Sequence, residues 1–64
     1  MKYKNHITVS DYFKKGDRIY DEVVSIIKED LSMRNFSQKG LKIWMETVKA
    51  YPGRTRVHYE VDYD

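Results

Sequence analysis

The sequence predicts an α+β fold of order β-α-β-β, in which one helix packs on one face of a three-stranded sheet. Three observations predict it: strand-like alternation near the N-terminus, a helical period in the middle of the chain, and two C-terminal segments that match as a hairpin. The chain has 64 residues, which we interpret as one small domain. A chain of this length buries only about 60% of its unfolded surface and is marginally stable.

The first two elements follow from the spacing of apolar residues. Residues 3 to 9 alternate between apolar and polar positions, which is typical of a half-buried strand. From Asp11 to Leu31 the apolar residues keep a helical period, which continues across Gly16. We favour one helix with a kink at Gly16, although Asp17 could instead cap a helix that begins later. The predicted apolar face comprises Tyr12, Phe13, Ile19, Tyr20, Val23, Val24, Ile26, Ile27 and Leu31.

The segment from Leu41 to Tyr51 fits either a helix or a strand, and pairing favours the strand. As a helix it would place Ile43 on its polar side. With a loop from Ala50 to Arg54, one hairpin register separates an apolar face from a mostly charged one. The predicted apolar pairs are Thr47–Val57, Met45–Tyr59, Ile43–Val61 and Leu41–Tyr63, and the opposite face pairs Glu46–His58, Trp44–Glu60 and Lys42–Asp62.

The order of the elements then predicts the sheet. A helix that connects two strands normally leaves them parallel. The last strand turns back from the second and can lie between the two, antiparallel to both. We therefore expect the strand order 1-3-2, with the C-terminal strand in the centre. One face of the sheet is covered by the helix, and the other, formed by the even-numbered strand residues, is called the outer face below.

Composition excludes several classes of protein. The chain contains no cysteine, so it forms neither disulfides nor thiolate metal sites. Its apolar runs are too short for a membrane span, and the N-terminus lacks the apolar stretch of a signal peptide. We therefore expect no membrane association and a cytoplasmic protein, free or inside a host cell. The net charge of +2 is too small for a dedicated nucleic-acid binder.

Catalysis has little support in the sequence, and we expect neither an enzyme nor a bound cofactor. The two histidines, His6 and His58, are both predicted on the outer face, where a single sheet offers no pocket. Glu46 lies near His58 in the predicted hairpin, and the two would form an exposed ion pair. A zinc site from these three residues would need all of them to converge at about 2 Å, so no metal site is predicted.

The outer face is the predicted binding surface. Trp44 lies there without a helix to cover it, and tryptophan is enriched at protein–protein hot spots. The predicted partner-binding residues are Trp44, Val48, Arg56, His58, Tyr51 and Arg54. We expect a protein partner, or a second copy of the chain docked through the open sheet face. Small proteins without a catalytic constellation are often inhibitors or regulators, many of them encoded by phages or other mobile elements.

Nucleic-acid binding is the alternative prediction. Lys49, Arg54 and Arg56 cluster at the predicted hairpin tip, where they could contact a phosphate backbone. Lys2, Lys4 and Arg18 would extend this basic side. Aromatic residues on the outer face would then stack on bases of a single strand.

Overall fold

A computed structural model describes residues 1–49 and 53–63 of the chain. Its elements are β1 (Lys2–Val9), α1 (Arg18–Met33), β2 (Lys42–Val48) and β3 (Arg54–Asp62). The three strands form one sheet in the order β1-β3-β2, and β3 is antiparallel to both of its neighbours. The predicted β-α-β-β fold and strand order are therefore confirmed, and the segment after Leu41 forms a strand, Lys42–Val48, and not a helix.

The register of the hairpin differs from the predicted one by two residues. Met45 pairs with Val57 and not with Tyr59, and Ile43 pairs with Tyr59 and not with Val61. Because side chains alternate along a strand, a shift of two residues leaves every side chain on its predicted face. The alternation of apolar and polar residues is therefore the same in both registers and cannot distinguish them. The position of the turn decides between them.

The hairpin connection is correspondingly displaced by one residue at each end. Val48 pairs with Arg54, so the strands are joined by residues 49 to 53 and not by residues 50 to 54. Arg54 is consequently the first residue of β3 and not part of the turn.

The core lies between α1 and the inner face of the sheet. Its buried residues are Val23, Ile27 and Leu31 of the helix and Val57, Tyr59 and Val61 of β3. Because β3 is central, its odd-numbered side chains have neighbours on both sides and become buried, whereas the apolar odd-numbered side chains of β1 and β2 remain half-buried. Tyr63, which the predicted hairpin places on the apolar face, is also half-buried.

The helix begins later than predicted, at Arg18, and Asp17 precedes it as the N-cap residue. Gly16 has φ +102°, a conformation outside the helical region that glycine adopts far more easily than other residues. The predicted helix from Asp11 with a kink is therefore wrong, and the later start with Asp17 at the N-cap position is correct, although the Asp17 carboxylate accepts from the N–H of Lys14 and not from the helix. Tyr12 precedes the helix, and its ring lies where a Cβ atom at Gly53 would be.

We expect Gly16→Ala to destabilise the fold by about 1–2 kcal/mol, since a Cβ atom makes this left-handed conformation unfavourable. Open space surrounds the position, so a steric clash with neighbouring side chains would not contribute. Lys15→Ala, one residue earlier and exposed, is the control and should change stability by less than about 0.5 kcal/mol. Urea denaturation checks both values, and equal stabilities for the two variants would contradict the assigned backbone conformation.

The helix ends in a Schellman motif that directs Phe36 onto the core. Asn35 has φ +59°, and its N–H donates to the carbonyl of Ser32. The N–H of Phe36 donates to the carbonyl of Leu31 at 2.9 Å, which is the pattern of this motif. The helix thus reaches Met33, two residues beyond its predicted end, and Phe36 packs against the core.

The buried stripe of the helix is narrower than the predicted face. Ile27 is fully buried, whereas its neighbour Ile26 is 53% exposed. The two residues differ by about 100° around the helix axis. A single sheet covers only one side of a helix, so the wide apolar face cannot be buried completely. The prediction that Ile26 belongs to the core is wrong.

One polar network joins the helix to the sheet. The Tyr59 hydroxyl donates to Asp30 Oδ2 at 2.8 Å, and Arg34 Nε donates to Asp30 Oδ1 at 3.0 Å. The Tyr3 hydroxyl lies 3.4 Å from the same carboxylate. The hydrogen bond from Tyr59, followed by the effects of Arg34 and Tyr3, lowers the pKa of Asp30 below its ordinary value despite partial burial. Burial and Asp30 together raise the pKa of Tyr59.

Tyr59→Phe is expected to cost about 1.5–3 kcal/mol, because it removes a hydrogen bond to a charged group. Because its folded-state pKa is lowered, Asp30 contributes stability that is present above its unfolded pKa and lost as pH falls through the folded value. The variant should therefore lose less stability than the wild type on acidification below about pH 4. Thermal melts across this range test the expectation.

Tyr20→Phe is the control for this substitution, since the tyrosine hydroxyls that form hydrogen bonds within residues 1–49 and 53–63 are those of Tyr3 and Tyr59. It should leave both stability and its pH dependence unchanged. A Tyr59→Phe variant with the acid sensitivity of the wild type would show that the hydrogen bond does not hold down the pKa of Asp30.

Candidate docking face

The outer face of the sheet carries side chains in cross-strand rows. Even-numbered residues of all three strands point away from α1, because the odd-numbered residues of β3 pack against it. From the hairpin end, the rows are Val48–Arg54, Glu46–Arg56–Thr8, Trp44–His58–His6, Lys42–Glu60–Lys4 and Asp62–Lys2. No helix of the described residues covers this face, so its side chains are available to a partner.

The central row consists of three rings, one from each strand. The indole of Trp44 stacks on the imidazole of His58, with 5.4 Å between ring centroids and 11° between ring planes. His6 follows on the other side, 5.7 Å from His58 and tilted by 50°. Trp44 remains 47% exposed. One face of the indole is therefore held by the protein while much of the ring is open to solvent.

Glu46 connects the ring row to the next row of side chains. Its Oε1 lies 3.1 Å from His58 Nε2 and 3.3 Å from Arg56 Nη1. The hydrogen bond from His58, and then the charge of Arg56, lower the pKa of Glu46. Glu46 thus holds the His58 ring in place from one side while Trp44 stacks on it.

A second carboxylate, that of Glu60, lies near two lysines at the opposite end of the face. Its side chain is only 12% exposed and lies 3.4 Å from Lys4 and 4.0 Å from Lys2. Together with Glu46, it offsets much of the positive charge on the face. The outer face is consequently a mixed-charge surface with an aromatic centre, and not a basic stripe.

The structure brings together most of the predicted partner-binding residues, but not all of them. Trp44 and His58 are direct neighbours, and Arg56 joins them through Glu46. Val48 is half-buried and lies two rows from Trp44, with Glu46 between them, so the two side chains are not direct neighbours. The remaining two predicted residues differ: Arg54 is exposed opposite Val48, and Tyr51 lies outside the described residues.

The residues of the predicted basic side do not form one surface in the structure. Lys2 pairs with Asp62 at the far end of the sheet from Arg54, so the N-terminal lysines cannot extend the hairpin tip. Arg18 is the first residue of the helix and forms an ion pair with Glu22 at 3.3 Å. The cations that sequence suggested as one surface are therefore divided among three places.

Two residues of the central rows were missed as members of the candidate site. His6 was predicted on the outer face but not linked to Trp44, because the pairing of β1 with β3 was not assigned residue by residue. Glu46 was linked to His58 alone, since the predicted register placed Arg56 elsewhere. An assignment of cross-strand partners for all three strands would have found both.

A cleft lies at the end of the sheet, away from the central ring row of the outer face. Its volume is about 650 Å³, and it lies between the segment after α1 and the end of β3, lined by Arg34, Asn35, Phe36, Ser37, Lys39, Gly40, Asp62 and Tyr63. The rings of Phe36 and Tyr63 stack with centroids 4.6 Å apart. This stack holds the segment after the helix against the end of β3. The packing of that segment accounts for the cleft, so we assign it a structural role.

Metal and membrane sites were also considered. Within residues 1–49 and 53–63, no cluster of three or more His, Asp or Glu side chains is arranged to hold a metal ion. The helix of the described residues is too short and too polar to cross a membrane.

Comparisons with protein families, with curated proteins and with solved structures find no match to this chain.

Proposed function

We propose that this chain is a small non-enzymatic binding protein whose outer face docks on a protein partner, as a cytoplasmic inhibitor or regulator. The observation that carries the proposal is the packing and exposure of Trp44: its ring is stacked on His58 and is still 47% exposed. A large aromatic ring that is already held in place loses little conformational freedom on binding. Such residues dominate the energetics of protein–protein interfaces.

The surroundings of Trp44 support a protein partner. Polar and charged side chains of both signs surround the ring row, among them Glu46, Arg56 and Lys42. An aromatic centre within a polar rim is the usual layout of a small protein interface. Charges of both signs also favour a partner with complementary charges over a uniformly negative one.

Nucleic-acid binding remains the second candidate because three rings lie in one row across the sheet. Aromatic side chains can stack on successive bases of a single strand. The ion pairs of Lys2 and Lys4 with Glu60 weigh against it, since a phosphate backbone would have to approach a carboxylate.

Differential capture from an extract of the source cell tests the proposal. The baits are the wild type, Trp44→Ala and Ile26→Ala, and the last replaces an apolar residue of similar exposure on the helix. We expect a protein that is retained by the wild type and by Ile26→Ala but lost with Trp44→Ala. Equal recovery on all three baits would contradict docking through the outer face.

A salt series separates the two candidates. Binding of single-stranded nucleic acid weakens log-linearly with salt concentration, with a slope of about −0.7 for each phosphate contacted. A contact centred on Trp44 and stable in salt supports a protein partner. A steep log-linear loss, together with recovery of nucleic acid on the bait, would favour the alternative.

A further inference from the structure

The exposed edge of β2 presents a row of backbone groups beside the outer face, and Lys42, Trp44 and Glu46 of the outer face lie along it. Strand order β1-β3-β2 leaves β2 at one edge of the sheet, and no strand in the described part of the chain pairs with its free side. Edge strands present unpaired backbone N–H and C=O groups that readily accept another strand. β2 contains neither proline nor glycine, the residues that most often interrupt such pairing.

We propose that β2 pairs antiparallel with β2 of a second copy of this chain, about a twofold axis at Trp44. In this register Lys42 of each copy lies opposite Glu46 of the other, and Trp44 lies opposite its own symmetry mate. On the inner face Ile43 lies opposite Met45, so two half-buried apolar residues meet. The two sheets become one sheet of six strands, and the interface is isologous.

Several antiparallel registers keep the outer-face residues of the two copies on the same side of the joined sheet. Charge complementarity favours the one with its axis at Trp44. An axis at Met45 would place Lys42 opposite Val48, so the ion pairs would be lost. Opposite charges directly across two strands stabilise pairing, and like charges destabilise it. The axis at Trp44 therefore gives two matched ion pairs by symmetry.

The other edge of the sheet lacks this self-complementarity. β1 has the sequence KYKNHITV, which contains two lysines and no carboxylate. No antiparallel register of β1 with its own copy can therefore form an ion pair, and Lys4 would face Lys2, Lys4, His6 or Thr8. The second copy is thus expected at β2 and not at β1.

Reciprocal charge reversal tests the proposal without any other partner, so its result is independent of the proposed docking function. The variants are Lys42→Glu and Glu46→Lys. Each homodimer then places like charges opposite each other at both symmetry-related pairs, and we expect the dimer dissociation constant to rise by about tenfold or more. A mixture of the two variants restores both ion pairs in a heterodimer, so its affinity should return close to that of the wild type.

Sedimentation equilibrium from micromolar to millimolar protein measures these constants, and Lys4→Glu on β1 is the matched control that should leave them unchanged. Glu46 also contacts Arg56 and His58, so Glu46→Lys could lower the stability of the monomer. Mixing cannot repair such a defect, which makes recovery in the mixture specific to pairing between copies. A wild type that stays monomeric, or a mixture no tighter than either variant alone, would overturn the proposal.

Discussion

Ile27→Ala is expected to lower the free energy of unfolding by about 2–5 kcal/mol. The Ile27 side chain is fully buried between the helix and β3, so its truncation removes apolar contacts and leaves a cavity. A chain of this length has little stability to lose. The variant is therefore expected to be largely unfolded at 37 °C or to unfold at much lower urea concentration than the wild type.

Ile26→Ala provides the matched control on the same turn of the helix. Ile26 is 53% exposed, and surface substitutions usually change stability by no more than about 0.5 kcal/mol. Urea denaturation of both variants measures the difference. Equal losses at the two positions would mean that the helix is rotated relative to the sheet, which would contradict the assigned core.

Trp44→Ala is expected to weaken partner binding by at least about 2 kcal/mol, or about 30-fold in dissociation constant. The substitution removes the exposed ring at the centre of the outer face. It also removes the stack with His58, an aromatic contact worth about 0.5–1.5 kcal/mol. The loss of stability should therefore be smaller than that of Ile27→Ala, and the variant should remain folded.

Calorimetric titration with the captured partner, beside urea denaturation of the same variant, separates binding from folding. Trp44→Phe is the conservative control, since it keeps an aromatic ring and should retain part of the affinity. A folded Trp44→Ala variant that binds as tightly as the wild type would make Trp44 an ordinary surface residue.

The faces of the strands could be predicted from the sequence, but the register of the hairpin could not. Alternation with a period of two assigns Met45 and Val57 to the inner face in either register. Only the turn between them distinguishes a shift of two residues. The predicted neighbour of Trp44 was consequently Glu60, whereas its actual neighbour is His58.

The helix boundaries show a similar limit. The apolar period continues through Tyr12 and Phe13, although the backbone at Gly16 leaves the helical region. The spacing of hydrophobic residues does not reveal the backbone conformation. Glycine is compatible both with a continuous helix from Asp11 and with a helix that begins after Gly16. The width of the buried face was likewise overestimated at Ile26, because burial depends on what covers the helix and not on the helix alone.

Mapping of the contact surface by NMR tests the docking face most directly. Backbone amide and side-chain signals of the labelled protein would be recorded with and without the captured partner. We predict that cross-saturation from the partner falls on the outer-face side chains and strand amides around Trp44, His58 and Glu46, while the exposed side of α1 around Ile26 is unaffected. Transfer confined to α1, or to the cleft between Arg34 and Tyr63, would contradict docking through the outer face.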